Sequence, residues 1–256
     1  MVATNPAHRD LSKFHVITPA YNCSSNIEQT LISVVGQTNK DWSMTVIDDM
    51  STDGTAKTVR MFALAHGLRN KISVVSREEK YGEVRNTLDI CSRLDPETIV
   101  IRLDAGDWLT DLGCFEILSR VYDQYDPAVA WTAHRWAWTN QNISGAIDPN
   151  ISVYEQPWKS SHLKTFRVRD FMGLNPKNFL DDDGNYIMIA CDQAVFLPMM
   201  ERARKRGRPL VYIPILMYHY SIDLQKPDLF TCDRSLEQKY SAEWIRERGY
   251  VNEDPV

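Results

Sequence analysis

The segment "TIVIRLDAGDWLTD" places two carboxylates, Asp104 and Asp107, at the end of an aliphatic, β-branched run, Ile99 to Leu103. Such a run reads as a buried strand. A second pair, Asp48 and Asp49, ends "WSMTVIDD" in the same way. The first apolar run, "FHVIT", stops at "PAYN", which offers a rigid Pro19 and an aromatic Tyr21. In an open α/β sheet, ligands bind in the crevice beyond the carboxyl ends of the strands. If these three runs lie parallel, their ends form one edge, acidic and walled by an aromatic ring. An acidic edge repels phosphate, and a hard divalent cation removes the conflict. Mg²⁺ or Mn²⁺ takes one or two carboxylates together with substrate phosphates. The edge therefore suits a nucleotide diphosphate carried by a metal. A phosphate cradled by backbone amides would need a glycine-rich loop, and neither GxGxxG nor GxxxxGK[ST] occurs.

The elements that must position these acids alternate through the first half. Strand-like runs at 14–18, 42–48, 71–76, 98–103 and 128–138 are separated by helical periodicity. "SSNIEQTLISVVGQ" opens with a capping box, Ser25 with Glu28, and spaces Ile27, Leu31 and Val34 along one helix face. Val59, Phe62 and Leu64 mark the next helix, Val84, Leu88 and Cys91 the third, and Leu112, Phe115, Leu118 and Tyr122 the fourth. Repeated strand–helix pairs predict an α/β fold with a mostly parallel sheet flanked by helices on both faces. Beyond 139 the pattern weakens. Residues 139–165 read as a long polar loop, "DQAVFLPMMERARKRG" as a helix interrupted near Pro198, "PLVYIPILMYHY" as a strand and "DRSLEQKYSAEWIRERG" as a terminal helix. No linker separates the halves. The expectation is one domain over 1–256, with 14–135 as the nucleotide-binding half and 136–256 as the acceptor side.

Composition narrows the class. The 256 residues are 43% hydrophobic and 25% charged, with a net charge of −5, an ordinary globular balance. That charge lacks the electrostatic footprint of non-specific nucleic-acid binding. Five scattered cysteines with no C-x-x-C pair indicate reduced thiols rather than a disulfide framework or a zinc site. The first residues carry no apolar signal segment, and no run approaches a membrane span. The expected location is cytoplasmic, with no transmembrane segment.

Taken in order, "VITPAYNCSSNIEQTLISVVGQT", "VIDDMSTDGT", "YGEVRN" and "RLDAGDWL" resemble the family 2 glycosyltransferases of the GT-A fold, strongly over 14–135. "CDQAVFLPMMERA" and "YIPILMYHY" are similar, more loosely, to the C-terminal parts of bacterial and viral members. The resemblance implies a Rossmann-like central sheet with a smaller C-terminal acceptor region. It also implies inverting transfer from a nucleotide-diphosphate sugar, by family habit a UDP-sugar, to a glycan or other hydroxyl acceptor. Asp49 would then bond the base, Pro19 and Tyr21 would line the base and ribose pocket, and Arg85 would lie near the nucleotide. Asp104 and Asp107 would be the ribose and metal carboxylates. One departure stands out: where many members carry an acid at the third place of D-x-D, this chain has Gly106. The resemblance also puts a general base before the long C-terminal helix, where only Asp192 of "CDQ" can serve. His219 of "MYHY" could complete the metal shell with a neutral imidazole.

Blander readings stand beside these. Asp48 and Asp49 could be a solvated strand end, Asp104 and Asp107 a turn with a helix cap, and Asp192 a helix N-cap. "DDDG" (181–184) lacks EF-hand spacing and reads as a turn. Trp131, Trp136, Trp138 and Trp158 crowd the acceptor side, as packing or as sugar platforms. The functional alternatives are a sugar-phosphate nucleotidyltransferase, a non-catalytic nucleotide- or glycan-binding module, and a transferase acting on modified nucleic-acid bases. The first is disfavoured because "TPAYNCSS" replaces the glycine-rich, basic loop such enzymes use. The basic run "ERARKRGR" (201–208) permits the last, although such runs are usually solvated helix ends.

Overall fold

The computed structural model describes residues 13–137, 139–221 and 232–252. Trp138 therefore lies outside the described residues. In chain order the elements are β1 (Phe14–Ala20), α1 (Ile27–Val35), β2 (Trp42–Asp48), α2 (Thr55–Ala65), β3 (Ile72–Ser76), α3 (Gly82–Cys91), β4 (Ile99–Arg102) and β5 (Trp108–Leu109). They continue with α4 (Cys114–Tyr125), β6 (Val129–Trp136), β7 (Lys164–Arg167), α5 (Val168–Met172), α6 (Cys191–Lys205), β8 (Leu210–Tyr220) and α7 (Cys232–Arg248).

One mixed sheet runs β3-β2-β1-β4-β7-β6-β8-β5. The first four strands are parallel, β7 opposes both β4 and β6, and β8 runs with β6. Alternation along the strands splits the interior into two cores. Phe14, Val16, Met44, Val46, Ile99 and Ile101 face α1, α2 and α4. Ile17, Ile47 and Val100 face α3, α5 and α6. The central strands are buried on both faces, which explains their near-continuous apolar runs.

The sheet must also curl. Four strand spacings separate β4 from β5, about 19 Å in a flat sheet. Only residues 103–107 join them, and that segment is folded: the Asp107 N–H bonds the Asp104 carbonyl at 3.1 Å, and Gly106 has φ +97°. The far edge therefore swings back until β5 packs against α1.

Several expectations need correction. The Ser25–Glu28 capping box does not form: α1 begins at Ile27 after Asn26, without a side-chain cap. The preceding turn is tied instead to the loop after β2, by Cys23 N–H to Thr55 Oγ1 at 2.9 Å and Ser24 N–H to Asp53 Oδ2 at 2.9 Å. α6 continues through Pro198; burial of nearly every neighbouring side chain offsets the lost backbone bond. Leu64, near the end of α2, is exposed, and so is Leu112, which precedes α4 rather than lying on it. The polar loop ends sooner than expected, because Lys164–Arg167 forms β7. Four residues are too few to show a period, and the antiparallel reversal they create was not predicted.

Phe166 of β7 is fully buried, between Val100 and Val129 on the neighbouring strands and against Phe171 and Phe196. Phe166→Ala is expected to lower unfolding free energy by about 3–5 kcal/mol, measured by urea denaturation.

Candidate functional site

The ends of β1, β2 and β4 do share one edge, because the three strands are parallel and in register. Asp48, at the tip of β2, is buried and accepts the Ser51 N–H at 3.0 Å. It shapes the turn rather than facing a ligand. Asp49 accepts the N–H groups of Tyr81 at 3.0 Å and Gly82 at 3.1 Å, where α3 begins. One carboxylate thus ties the end of β2 to a helix N-terminus and satisfies donors the helix cannot satisfy itself.

Beyond β4 opens a cleft of about 870 Å³ between the N-termini of α3 and α6, the end of β8 and α7. Glu83, Asp104, Asp192, Glu237 and Lys80 supply its charged groups, with Trp136 and Trp158 among its aromatic ones. Its floor is organised by two buried cations. Arg102 ends β4 and Lys164 begins β7, and the antiparallel register sets them directly opposite each other. Their side chains are 3% and 2% exposed. Facing like charges repel, so carboxylates must surround them. Arg102 bonds Glu83 at 2.6 Å and lies 3.6 Å from Asp104. Lys164 Nζ lies 2.6 Å from Asp192 Oδ2.

The protonation states follow. Burial, reinforced by Asp192 and Asp104, lifts the Glu83 carboxyl to about 7 against the pull of Arg102. Burial also raises Asp104, which Arg102 opposes. Asp192 goes the other way: burial would raise it, but Lys164, with help from His162 and Arg102, holds it at about 2. Asp192 is therefore ionised at any working pH.

Asp107 does not reach the cleft. It is buried, and its oxygens accept the Tyr218 hydroxyl at 2.5 Å, the Ser221 N–H at 2.8 Å and the Ser221 hydroxyl at 2.9 Å. Burial and the nearby Asp104 push it up to about 8. It pins the end of β8, whose Tyr220 lines the cleft. Gly106 is explained by the same loop. Its φ of +97° strains any residue with a Cβ, which would also press on Asn26 Nδ2 at 2.9 Å, so an acid is disfavoured there. Thr30 of α1 locks the loop, accepting the Gly106 N–H at 2.9 Å and donating to the Asp107 carbonyl at 2.7 Å.

His219 stacks on Trp108, with centroids 3.9 Å apart, and accepts from Arg135 at 3.3 Å. The expected trio of Asp104, Asp107 and His219 is thus not gathered. Among the described residues no group of three His, Cys, Asp or Glu side chains could hold a metal. What remains is Asp104, a hard oxygen donor with 40% of its side chain exposed. It suits a divalent ion whose other ligands are substrate phosphates and water.

Of the other predicted residues, Pro19 pairs with Ile47 inside the sheet edge, and Tyr21 is exposed with Lys80 near its ring. Arg85 stacks on Tyr81 at 3.5 Å and pairs with Glu79 at 3.2 Å. It borders the Asp49 cap rather than the cleft floor. Sequence reasoning missed Glu83, Arg102, Lys164 and His162. Arg102 was legible in principle, as a charge inside a strand of otherwise apolar residues. Trp131 is packing, with Nε1 bonded to the Gly145 carbonyl. "DDDG" is a turn, closed by Asp183 and Asn185 N–H groups on Asp181 Oδ1.

The sequence pattern of glycosyl transferase family 2 matches residues 15–173. The teichuronic acid biosynthesis glycosyltransferase TuaG of Bacillus subtilis (strain 168) is 40% identical over 67 residues, 26% of this chain and 25% of that protein. The B. subtilis glycosyltransferase EpsE is 33% identical over 60 residues, 23% of this chain and 22% of that one. The chain thus aligns with about a quarter of each of these relatives. Among solved structures, the mannosyltransferase PcManGT from Pyrobaculum calidifontis, in complex with GDP-Man and Mn²⁺, superposes with TM-score 0.63 and 17% identity over 99% of this chain and 68% of that one. S. aureus TarS 1-349 in complex with UDP gives 0.57 and 17% over 95% and 67%. The shared architecture is the GT-A fold.

The cation pair makes stability depend on the acids around it. Asp192→Asn leaves Lys164 buried and uncompensated and is expected to cost about 3–5 kcal/mol. Lys164→Met/Asp192→Asn should recover most of that loss in the same denaturation assay. Glu83 gives a pH signature. Its folded carboxyl, at about 7, holds a proton the unfolded chain releases near 4.5. Its contribution is therefore complete below about pH 4.5 and fades as pH rises through 7. Glu83→Gln should flatten the fall in melting temperature between pH 5 and pH 8.

Proposed function

Because the chain belongs to glycosyl transferase family 2, we propose that this glycosyltransferase binds a nucleotide-diphosphate sugar, by family habit a UDP-sugar, across the β1–β2–β4 edge and transfers the sugar with inversion to a hydroxyl acceptor in the cleft. The observation that carries this reading is the pairing of Asp104 and Asp192 in one cleft, one beyond β4 and the other in the first turn of α6. Support for the donor type comes from the solved relatives bound to UDP, UDP-GlcNAc and GDP-Man. In this assignment Asp49 keeps lone pairs for the base beyond the two N–H groups it already accepts. Pro19 and Tyr21 border the nucleoside, and Arg85 stands nearby.

A divalent ion, Mn²⁺ or Mg²⁺, would be held by Asp104 and the donor's own phosphate oxygens, and it would offset charge on the departing diphosphate. The chain's groups do the rest. Asp192, always ionised, needs no prior deprotonation before it accepts the hydroxyl proton. A carboxylate held that low is a weak base. Transfer to it becomes favourable late, once the acceptor oxygen has begun to bond the anomeric carbon and its proton has turned acidic. Lys164 pairs with Asp192 Oδ2 at 2.6 Å, which leaves Oδ1 for the acceptor. The half-buried aromatic walls, Trp136, Trp158 and Tyr220, would compete with water for the acceptor position.

Thermal unfolding with UDP, GDP, CDP, ADP and dTDP, each with and without Mn²⁺, tests the donor site. One nucleotide with the metal should raise the melting temperature by roughly 5–10 °C at about 100 times its Kd. No shift with any pair would sink the reading. Asp192→Asn, although less stable, should keep that nucleotide shift and lose about 10²–10⁴-fold in transfer rate; a fully active variant would reduce Asp192 to a partner for Lys164.

A further inference from the structure

Among the polar side chains of the cleft that the transfer scheme leaves idle, His162 stands nearest the proposed chemistry. His162 lines the cleft, beside Asp192 and Trp158, yet is only 7% exposed. Among the described residues its ring nitrogens have no hydrogen-bond partner. Those nitrogens are not sealed from solvent and are free to meet a ligand in the cleft, and three neighbours hold the ring in place. Tyr218 stacks on it at 4.5 Å and 15°, His134 meets it edge-on at 5.5 Å, and Tyr220 lies tilted at 5.4 Å.

Its backbone is fixed by a hydrogen-bond chain whose direction can be worked out. Trp136 Nε1 can only donate, and it does so to His134 Nε2 at 2.9 Å. His134 therefore carries its proton on Nδ1 and donates to Ser144 Oγ at 2.9 Å. The Ser144 hydroxyl then donates to the His162 carbonyl at 3.3 Å. Burial and the charge of Lys164 keep the His162 ring neutral, well below the usual imidazole range. A neutral ring offers one N–H donor and one lone pair, the complement of an alcohol, which also donates once and accepts.

We propose that His162 is an acceptor-binding residue: its imidazole hydrogen-bonds the attacking hydroxyl of a neutral carbohydrate and holds it against Asp192. The aromatic walls, Trp136, Trp158 and Tyr220, fit the apolar faces of a sugar ring. The inference rests on the transferase reading above and extends it to the acceptor's chemistry.

The test uses two substitutions in the full chain. His162→Phe keeps a flat ring in the Tyr218–His134 cage but removes both nitrogens. His162→Gln keeps a donor and an acceptor. Two quantities are read: the nucleotide-induced rise in melting temperature, and nucleoside diphosphate release from UDP-glucose, UDP-GlcNAc and GDP-mannose, with water alone and then with methyl glycosides. The expected result is an unchanged nucleotide shift in both variants, release at least about 10-fold slower in His162→Phe, and a smaller loss in His162→Gln. Wild-type release by His162→Phe would make the ring a packing element and overturn the proposal. So would a lost nucleotide shift, which would assign His162 to the donor site. A wild-type protein that neither shifts with nucleotide nor releases any overturns the transferase reading itself. One that shifts but releases nothing overturns transfer and this inference together.

Discussion

Two cations on facing strands, Arg102 and Lys164, govern the architecture around them. Neither reaches water, and neither can be neutralised by the other. Each must draw carboxylates from elsewhere in the chain. Arg102 draws Glu83 from the start of α3, and Lys164 draws Asp192 from the start of α6. Both helices therefore point their N-termini at the same place, with Asp104 between them. The arrangement has no slack: removing one acid strands a buried charge, while removing a cation and its acid together leaves an ordinary interior. Under the proposed function the acids would be structural and chemical at once, and the low basicity of Asp192 would be the cost of that double use.

A second layer keeps the floor in position. Asp107, Tyr218 and Ser221 bind the end of β8 to the loop after β4, and Thr30 binds that loop to α1. The loop spans a short path between strands far apart in the sheet order, so its shape and the curl of the sheet are one constraint. Gly106 meets that constraint because its backbone, at φ +97°, strains any residue with a Cβ. The place where an acid was expected is a hinge of covalent geometry, which leaves Asp104 as the one carboxylate of this loop open to a ligand.

The first half of the fold was legible because its signals are local. Strands buried on both faces write continuous apolar runs, and the helices between them show a clear period. Asp49, Asp104 and Asp192 could be named because each stands at the edge of such a pattern. The rest depended on pairings that no local pattern records. β7 is four residues long, and its partner strands lie far from it in sequence. The burial of Lys164 follows from that pairing and not from its neighbours. Asp107 and His219 looked like ligands by type, yet partners over a hundred residues away for Asp107, and two aromatic and basic neighbours for His219, had already claimed them. Ser25 and Glu28 matched a capping motif that lost to Asp53 and Thr55 across the edge.

The reversal of β7 has a further consequence. A parallel strand would deliver its leading loop to the opposite side of the sheet. Because β7 runs against β4, the irregular stretch 139–163 arrives at the cleft, carrying Trp158, Ser161 and His162 with it. Under the proposed function, nucleotide-side groups would hang from strand ends and acceptor-side groups from a strand beginning. The two sets are carried by different stretches of backbone, joined along the β4–β7 pairing that ends at Arg102 and Lys164. On the proposed function, residues 139–163 would thus serve as a cassette: exchanged as a unit, they would alter the acceptor side while leaving the donor-side strands in place.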